Sequence, residues 1–199
     1  MTFGSFNNAI KLNDLTVSAW ARVLREVPNV RLEFKWLEFD RPGSAGILDR
    51  FAYQGVGPSR IDRFGYSPDP YTPYLNLDIC LDPIYASGGT TTCDALWMGV
   101  PVVTITGETQ FECTGLMHLT NIGLPELIAK DVDEFVGIAV DLASDIVRLE
   151  RKRQGLRERM EASPIMEEQR YNRFLEVELW RVWRIWCDVK VTPTADLPR

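Results

Sequence analysis

Tyr85-Ala-Ser-Gly-Gly-Thr-Thr-Thr-Cys-Asp-Ala-Leu-Trp-Met-Gly-Val-Pro-Val-Val-Thr104 decides the fold. A loop of small residues opens directly into a helix, with one apolar strand, Leu77 to Leu81, before it and another, Pro101 to Ile105, after it. Such a loop is suited to an anion. Gly88 and Gly89 let the backbone approach a ligand, and Thr90, Thr91 and Thr92 bring hydroxyls and the free N–H groups of a first helical turn, where the helix dipole favours negative charge. Asp94 is placed in the same turn, either to cap the helix or to reach past a diphosphate to the hydroxyls of a ribose. Threonine and aspartate are also ordinary helix-start residues, so local chemistry alone leaves phosphate binding and plain capping both open.

Outward from this loop, strands and helices alternate. Met1 to Phe6 reads as a strand and Asn7 to Lys11 as a loop. Asn13 or Asp14 caps a helix with Leu15, Ala19, Trp20, Val23 and Leu24 on its apolar face. Val30 to Trp36 alternates like a half-buried strand. Arg41-Pro-Gly-Ser turns into a helix from Ala45 to Gln54, and Arg60 to Tyr66 is a further strand. Ser67-Pro-Asp-Pro-Tyr-Thr-Pro73 is a proline-rich loop, and Leu127-Ile-Ala adds a last short strand. Asp131 to Met160 is helical, with the charged run Arg148 to Glu161 expected on a solvated face. This order predicts an α/β fold, a doubly wound parallel sheet that takes its ligand at the carboxyl ends of the strands. Residues 1–163 form the expected domain. Residues 164–190 are a C-terminal helix packed on it through a stripe containing Trp180, Trp183 and Trp186, and 191–199 are a flexible tail.

A chain of 199 residues with 45% hydrophobic content can bury one sizeable core. The net charge of -6, without a basic block, argues against a nucleic-acid partner. No apolar run approaches the roughly 20 residues that span a bilayer, so no membrane association is expected. Cys80, Cys93, Cys113 and Cys187 are scattered without a C-x-x-C pair, as reduced thiols of a cytoplasmic protein would be. His118, the single histidine, is read as structural, and no Asp-x-Asp metal motif stands in a suitable setting.

Several blocks carry a family resemblance. Thr2-Phe-Gly-Ser-Phe-Asn-Asn8 with Lys11, Trp20-Ala-Arg-Val-Leu24, Leu77-Asp-Ile-Cys-Leu-Asp-Pro83, Gly88 to Pro101, Gly107-Glu-Thr109, Gly123 to Ala129 and Ser163-Pro164 come in the order of the O-GlcNAc transferase and SPINDLY family, glycosyltransferase family 41. The resemblance covers about residues 2 to 187, and Thr91-Thr-Cys-Asp-Ala-Leu-Trp-Met-Gly-Val-Pro101 is its most specific part. It implies the Rossmann-like C-terminal half of a GT-B enzyme, the half that holds the sugar nucleotide. By resemblance, Lys11 offsets the charge of the leaving group. Asn8, Gly88, Gly89, Thr90 and Thr91 lie at the diphosphate, and Asp94 binds the ribose.

The implied reaction moves a sugar from a UDP-sugar such as UDP-GlcNAc to Ser or Thr hydroxyls of an acceptor protein, without a metal. Gly89 stands where animal members carry histidine, Ser67 to Pro73 where the family places basic or histidine residues near the base, and Cys113 where arginine is common. The tetratricopeptide repeats and N-terminal catalytic domain of the family have no counterpart in these residues. The chain is thus expected to be a fragment, a split subunit working with a separate N-terminal partner, or a degenerate product. The alternatives are a non-catalytic nucleotide-binding or interaction module and a GDP-fucose-dependent O-fucosyltransferase.

Overall fold

Among the described residues six short strands pair side by side in one parallel sheet: β1 (Thr2–Ser5), β2 (Arg31–Lys35), β3 (Ile61–Phe64), β4 (Ile79–Leu81), β5 (Val102–Ile105) and β6 (Ile128–Ala129). Their order is β3-β2-β1-β4-β5-β6. Phe3 sits between Leu32 and Ile79, and Cys80 stands opposite Val102, so apolar residues meet along the centre of the sheet. The computed structural model describes residues 1–40 and 46–191. The turn expected at Arg41 to Ser44 and the tail at 192–199 lie outside them.

Every strand connection is long enough to carry a helix, as parallel pairing requires. Helices α1 (Asp14–Glu26), α2 (Gly46–Tyr53) and α5 (Val132–Ser144) form one layer, with α1 against both of the others. Helices α3 (Thr90–Trp97), α4 (Thr114–Asn121) and α7 (Leu156–Glu161) form the other, and α6 (Ile146–Gln154) links the two. Asn13 is the cap of α1, accepting from the Thr16 N–H at 2.8 Å. The core of the first layer is aromatic: Trp20 stacks on Phe34 at 5.8 Å, and Phe34 meets Phe51 at 5.8 Å.

The structure differs from expectation in three places. Leu15 is exposed, because Val17, Ala19, Trp20 and Ala21 already fill the space between α1 and the sheet. Glu33 is buried although it alternates with apolar neighbours, because both faces of this parallel sheet are covered. That burial pushes its carboxyl up to about 7. The helical region after Asp131 is three helices: Asp145 ends α5 and caps α6 by accepting from the Arg148 N–H at 2.9 Å, and Gly155 separates α6 from α7.

The charged run on α6 and α7 is more than a solvated face. The Arg153 guanidinium donates to the carbonyls of Leu77 and Asp78 at 2.6 and 2.8 Å, at the start of β4. Arg159 donates to the Gly123 carbonyl at 3.1 Å, and Arg157 to the Trp97 carbonyl at 3.1 Å while lying over the Trp97 ring. Arg157 and Arg159 close the C-terminal ends of α3 and α4. Arg153→Ala is expected to lower the unfolding free energy by about 1.5–3 kcal/mol, the usual worth of hydrogen bonds to a charged group. Arg148→Ala, at an exposed position, should stay within about 0.5 kcal/mol. Urea unfolding of both variants checks this, and equal effects would contradict it.

The chain divides into two compact units at Ser163 and Pro164. The second holds a short turn, Pro164–Met166, and α8 (Glu168–Val191), on which Trp183 and Trp186 stack at 5.0 Å. Among the described residues no helix is long and apolar enough to cross a membrane.

Candidate nucleotide site

The strand order reverses between β1 and β4, so their carboxyl ends border a crevice of the kind that holds ligands in open α/β sheets. From the β1 side the chain continues through Phe6 and Asn7 into a single 3-10 turn, Ala9–Lys11. Asn8 caps this turn, its Oδ1 accepting from the Ile10 N–H at 3.0 Å. Asn7 is the residue that faces the loop. Its Oδ1 accepts from Lys11 Nζ at 3.1 Å and from Thr91 Oγ1 at 3.0 Å, and Nζ also donates to the Ser87 carbonyl at 3.1 Å. The Lys11 ammonium is half-buried. Burial lowers its pKa below the ordinary lysine value, and the nearby Asp82 carboxylate opposes that shift.

From the β4 side comes the loop, held along its whole course. The Ile84 N–H donates to Thr16 Oγ1 and its carbonyl accepts from Asn13, which ties the loop to the start of α1. Ser87 donates to the Phe111 carbonyl through both its N–H and its hydroxyl. The Gly88 N–H donates to Asp82 Oδ1 at 2.7 Å. The two glycines then differ sharply. A Cβ on Gly88 would lie 2.4 Å from Thr92 Oγ1 and 2.9 Å from Asp82 Oδ1, whereas a Cβ on Gly89 would meet nothing closer than Thr114 Cγ2 at 3.8 Å. Only glycine fits at 88, and a side chain has room at 89.

Helix α3 starts at Thr90 with Gly89 as its cap residue and no side-chain cap. Thr92 and Cys93 donate to the Gly89 carbonyl, while the Thr90 and Thr91 N–H groups have no acceptor within the helix. Asp94 lies one turn further in than the sequence suggested, since α3 has no acidic residue in its first turn. Capping is therefore not its role. It borders a cavity of about 270 Å³ together with Thr91, and Phe6, Trp36, Tyr66, Ser67, Pro70 and Tyr74 supply much of the wall. Burial raises the Asp94 pKa. Lys35 stands at the same wall, 5.4 Å from the centre of the Phe6 ring.

The proline-rich loop, expected only to lack basic residues, thus builds part of this cavity. Asp69 orders it by accepting from the Tyr71 and Thr72 N–H groups, and Tyr74 donates to the Thr91 carbonyl at 3.2 Å. Asn7, Ser87, Trp36 and Tyr66 were not singled out in the sequence. The structure sets Lys11, Gly88, Gly89, Thr90, Thr91 and Asp94 around one crevice and leaves Asn8 as the cap beside it. His118 is buried, with Nδ1 at 3.5 Å from Cys93 Sγ, and burial lowers its pKa.

The model of glycosyl transferase family 41 matches residues 1–175. The chain belongs to this family. Its fold is the doubly wound sheet of a GT-B glycosyltransferase: a lysine-to-methionine variant of the Thermobaculum terrenum O-GlcNAc transferase superposes with a TM-score of 0.88 at 29% identity, over 95% of this chain and 37% of that one. A protein of Hordeum vulgare carrying the name probable UDP-N-acetylglucosamine peptide N-acetylglucosaminyltransferase SPINDLY is 38% identical over 192 residues, 94% of this chain. A Caenorhabditis elegans UDP-N-acetylglucosamine peptide N-acetylglucosaminyltransferase is 30% identical over 187 residues, 92% of this chain and 16% of its own length. The family 41 chain therefore spans only a fifth of the barley relative, 20% of its length. Anabaena HepE, crystallised with UDP and glucose, shares the fold at a TM-score of 0.64 and 15% identity, over 88% of this chain and 48% of that one.

Proposed function

We propose that residues 1–163 are the donor-binding unit of a protein O-glycosyltransferase, taking a UDP-sugar such as UDP-GlcNAc whose sugar passes to a Ser or Thr hydroxyl of an acceptor protein. One observation carries this reading: Lys11 Nζ and Thr91 Oγ1 converge on Asn7 Oδ1 at the mouth of α3, beside an aromatic cavity bordered by Asp94. The diphosphate lies against the Gly89, Thr90 and Thr91 N–H groups and Lys11, the ribose hydroxyls reach Asp94, and the base enters between Trp36 and Tyr66. The names of the family relatives support the donor.

Breaking the bond between sugar and phosphate leaves a nucleoside diphosphate whose negative charge grows along the reaction. An ammonium and a helix N-terminus aimed at it stabilise the transition state more than the ground state. Lys11 and α3 supply this charge in the proposed mechanism, with no call on a divalent ion. The acceptor site and the proton-accepting group belong to the remaining part of the enzyme, on the same or a separate chain, in the cytoplasm.

Calorimetric titration of the 199-residue chain with UDP and GDP tests the base and ribose assignments. Saturable binding that prefers UDP is expected, with Asp94→Ala lowering UDP affinity about tenfold or more, the worth of hydrogen bonds to a carboxylate. Equal affinity for GDP would overturn the assignment of UDP. An unchanged Asp94→Ala variant would remove the ribose from Asp94.

A further inference from the structure

Asp82 is a buried carboxylate directly beneath the loop that we assign to the diphosphate. Its Oδ1 accepts from the Gly88 N–H at 2.7 Å and its Oδ2 from Thr104 Oγ1 at 2.8 Å. Glycines box in both oxygens: a Cβ on Gly88 would lie 2.9 Å from Oδ1, and one on Gly115 2.8 Å from Oδ2. Asp82 is 1% exposed, so it reaches no ligand. A negative charge under an anion site opposes the anion, and a purely structural acceptor for Gly88 would not need one.

The charge has a counterpart in Lys11, whose ammonium it favours across the crevice. We propose that Asp82 is a positioning residue of the donor site: it pins the Gly88 peptide from beneath and keeps Lys11 protonated between Asn7 and Ser87, without touching the nucleotide. This rests on the donor-site reading above. The titratable groups set against Asp82 are Lys11 from the turn after β1 and Cys80 from β4, while β5 contributes the Thr104 hydroxyl. Burial pushes the Asp82 carboxyl up to about 6, and the hydrogen bonds from Thr104 and Gly88 with the Lys11 charge keep it from rising further.

The sign of the pH effect follows. Lys11 meets a diphosphate only while protonated, so UDP affinity is full below the Lys11 pKa and falls as pH rises through it. Removing the Asp82 charge moves that fall to lower pH.

The test is UDP affinity of the full chain between pH 6 and pH 10, in the wild type and in Asp82→Ala, Asp82→Asn and Thr104→Val. Asp82→Ala is expected to lose about tenfold in affinity at pH 7, because the Gly88 N–H is left without its acceptor. Asp82→Asn should recover most of that loss, since an amide oxygen still accepts from Gly88. Its affinity should nevertheless begin to fall about half a pH unit or more below the wild type, since Lys11 has lost its favourable charge. Thr104→Val keeps the carboxylate and should retain the wild-type alkaline limb, and Asp82→Asn decides the case should Asp82→Ala not fold. A wild type that binds UDP beside an Asp82→Asn variant with an unshifted limb would overturn the positioning role and leave the donor site standing. A wild type that does not bind UDP would overturn the donor-site reading, and this role with it.

Discussion

Gly88→Ala is expected to lower the UDP affinity of the chain about a hundredfold or more, while Gly89→Ala stays within about threefold. The two residues are adjacent and both are glycine, so composition and propensity treat them alike. Their surroundings do not. A methyl group at 88 meets two threonine hydroxyls and the Asp82 carboxylate at once, at 2.4, 2.8 and 2.9 Å. Thr91 is bound to Asn7 and Asp82 to Thr104 and to the Gly88 peptide itself, so these two do not yield cheaply, and Thr92, the nearest, is buried beside them. The loop must move, and with it the start of α3. At 89 the nearest atom is a threonine methyl at 3.8 Å, ordinary contact distance. A bulkier residue is therefore accepted there, and Gly89→His should also keep the fold. Calorimetry with UDP, with circular dichroism to confirm folding, measures the contrast. Equal losses in the two alanine variants would contradict it.

Lys11→Ala is the second large effect. In the transferase assembled with its acceptor-binding part, turnover should drop about a hundredfold or more, as when one preorganised charge-stabilising group is removed from an active site. Affinity of the chain alone for the intact donor, UDP-GlcNAc, should drop less, about tenfold, because the leaving group carries more charge in the transition state than in the bound donor. The variant should also lose the alkaline fall in UDP affinity expected of the wild type, since no other cation bridges Asn7 and Ser87 among the described residues. A variant with normal turnover, or with the wild-type alkaline limb intact, would take Lys11 out of the mechanism.

Much of the fold was legible because the strands are short apolar runs separated by turn residues, and parallel pairing leaves few arrangements for alternating strands and helices. What escaped has physical reasons. Helix α4 reads Thr-Gly-Leu-Met-His-Leu-Thr-Asn, with glycine in its first turn, β-branched residues at both ends and no side-chain cap; packing against β5 holds it in place of propensity. The arginines of α6 and α7 look the same in sequence whether they face water or reach the carbonyls of Leu77, Trp97 and Gly123. Only the path of the chain under the sheet decides between these.

The candidate site divides in the same way. Its loop and helix start stand together in sequence as they do in space, whereas Lys11 meets them from 76 residues away. Asn7 and Asn8 are neighbours of the same type, and cap geometry alone assigns one to the Ala9–Lys11 turn and the other to Thr91 and Lys11. Trp36 and Tyr66 follow β2 and β3, and it is the order β3-β2-β1-β4 that brings the ends of those strands to the same side as Asp94. Asp82 carried no local signal at all, because its two partners lie 6 and 22 residues away.

The claim that the Gly88 to Asp94 segment holds a nucleoside diphosphate is tested most directly by amide NMR spectra of the isotope-labelled chain during a titration with UDP. Saturable shifts are predicted at the N–H groups of Gly89, Thr90 and Thr91 and at Asp94, with changes at Asn7 and Lys11 in the same titration. Binding that leaves these resonances unmoved and perturbs another surface, or the absence of any saturable change, would contradict it.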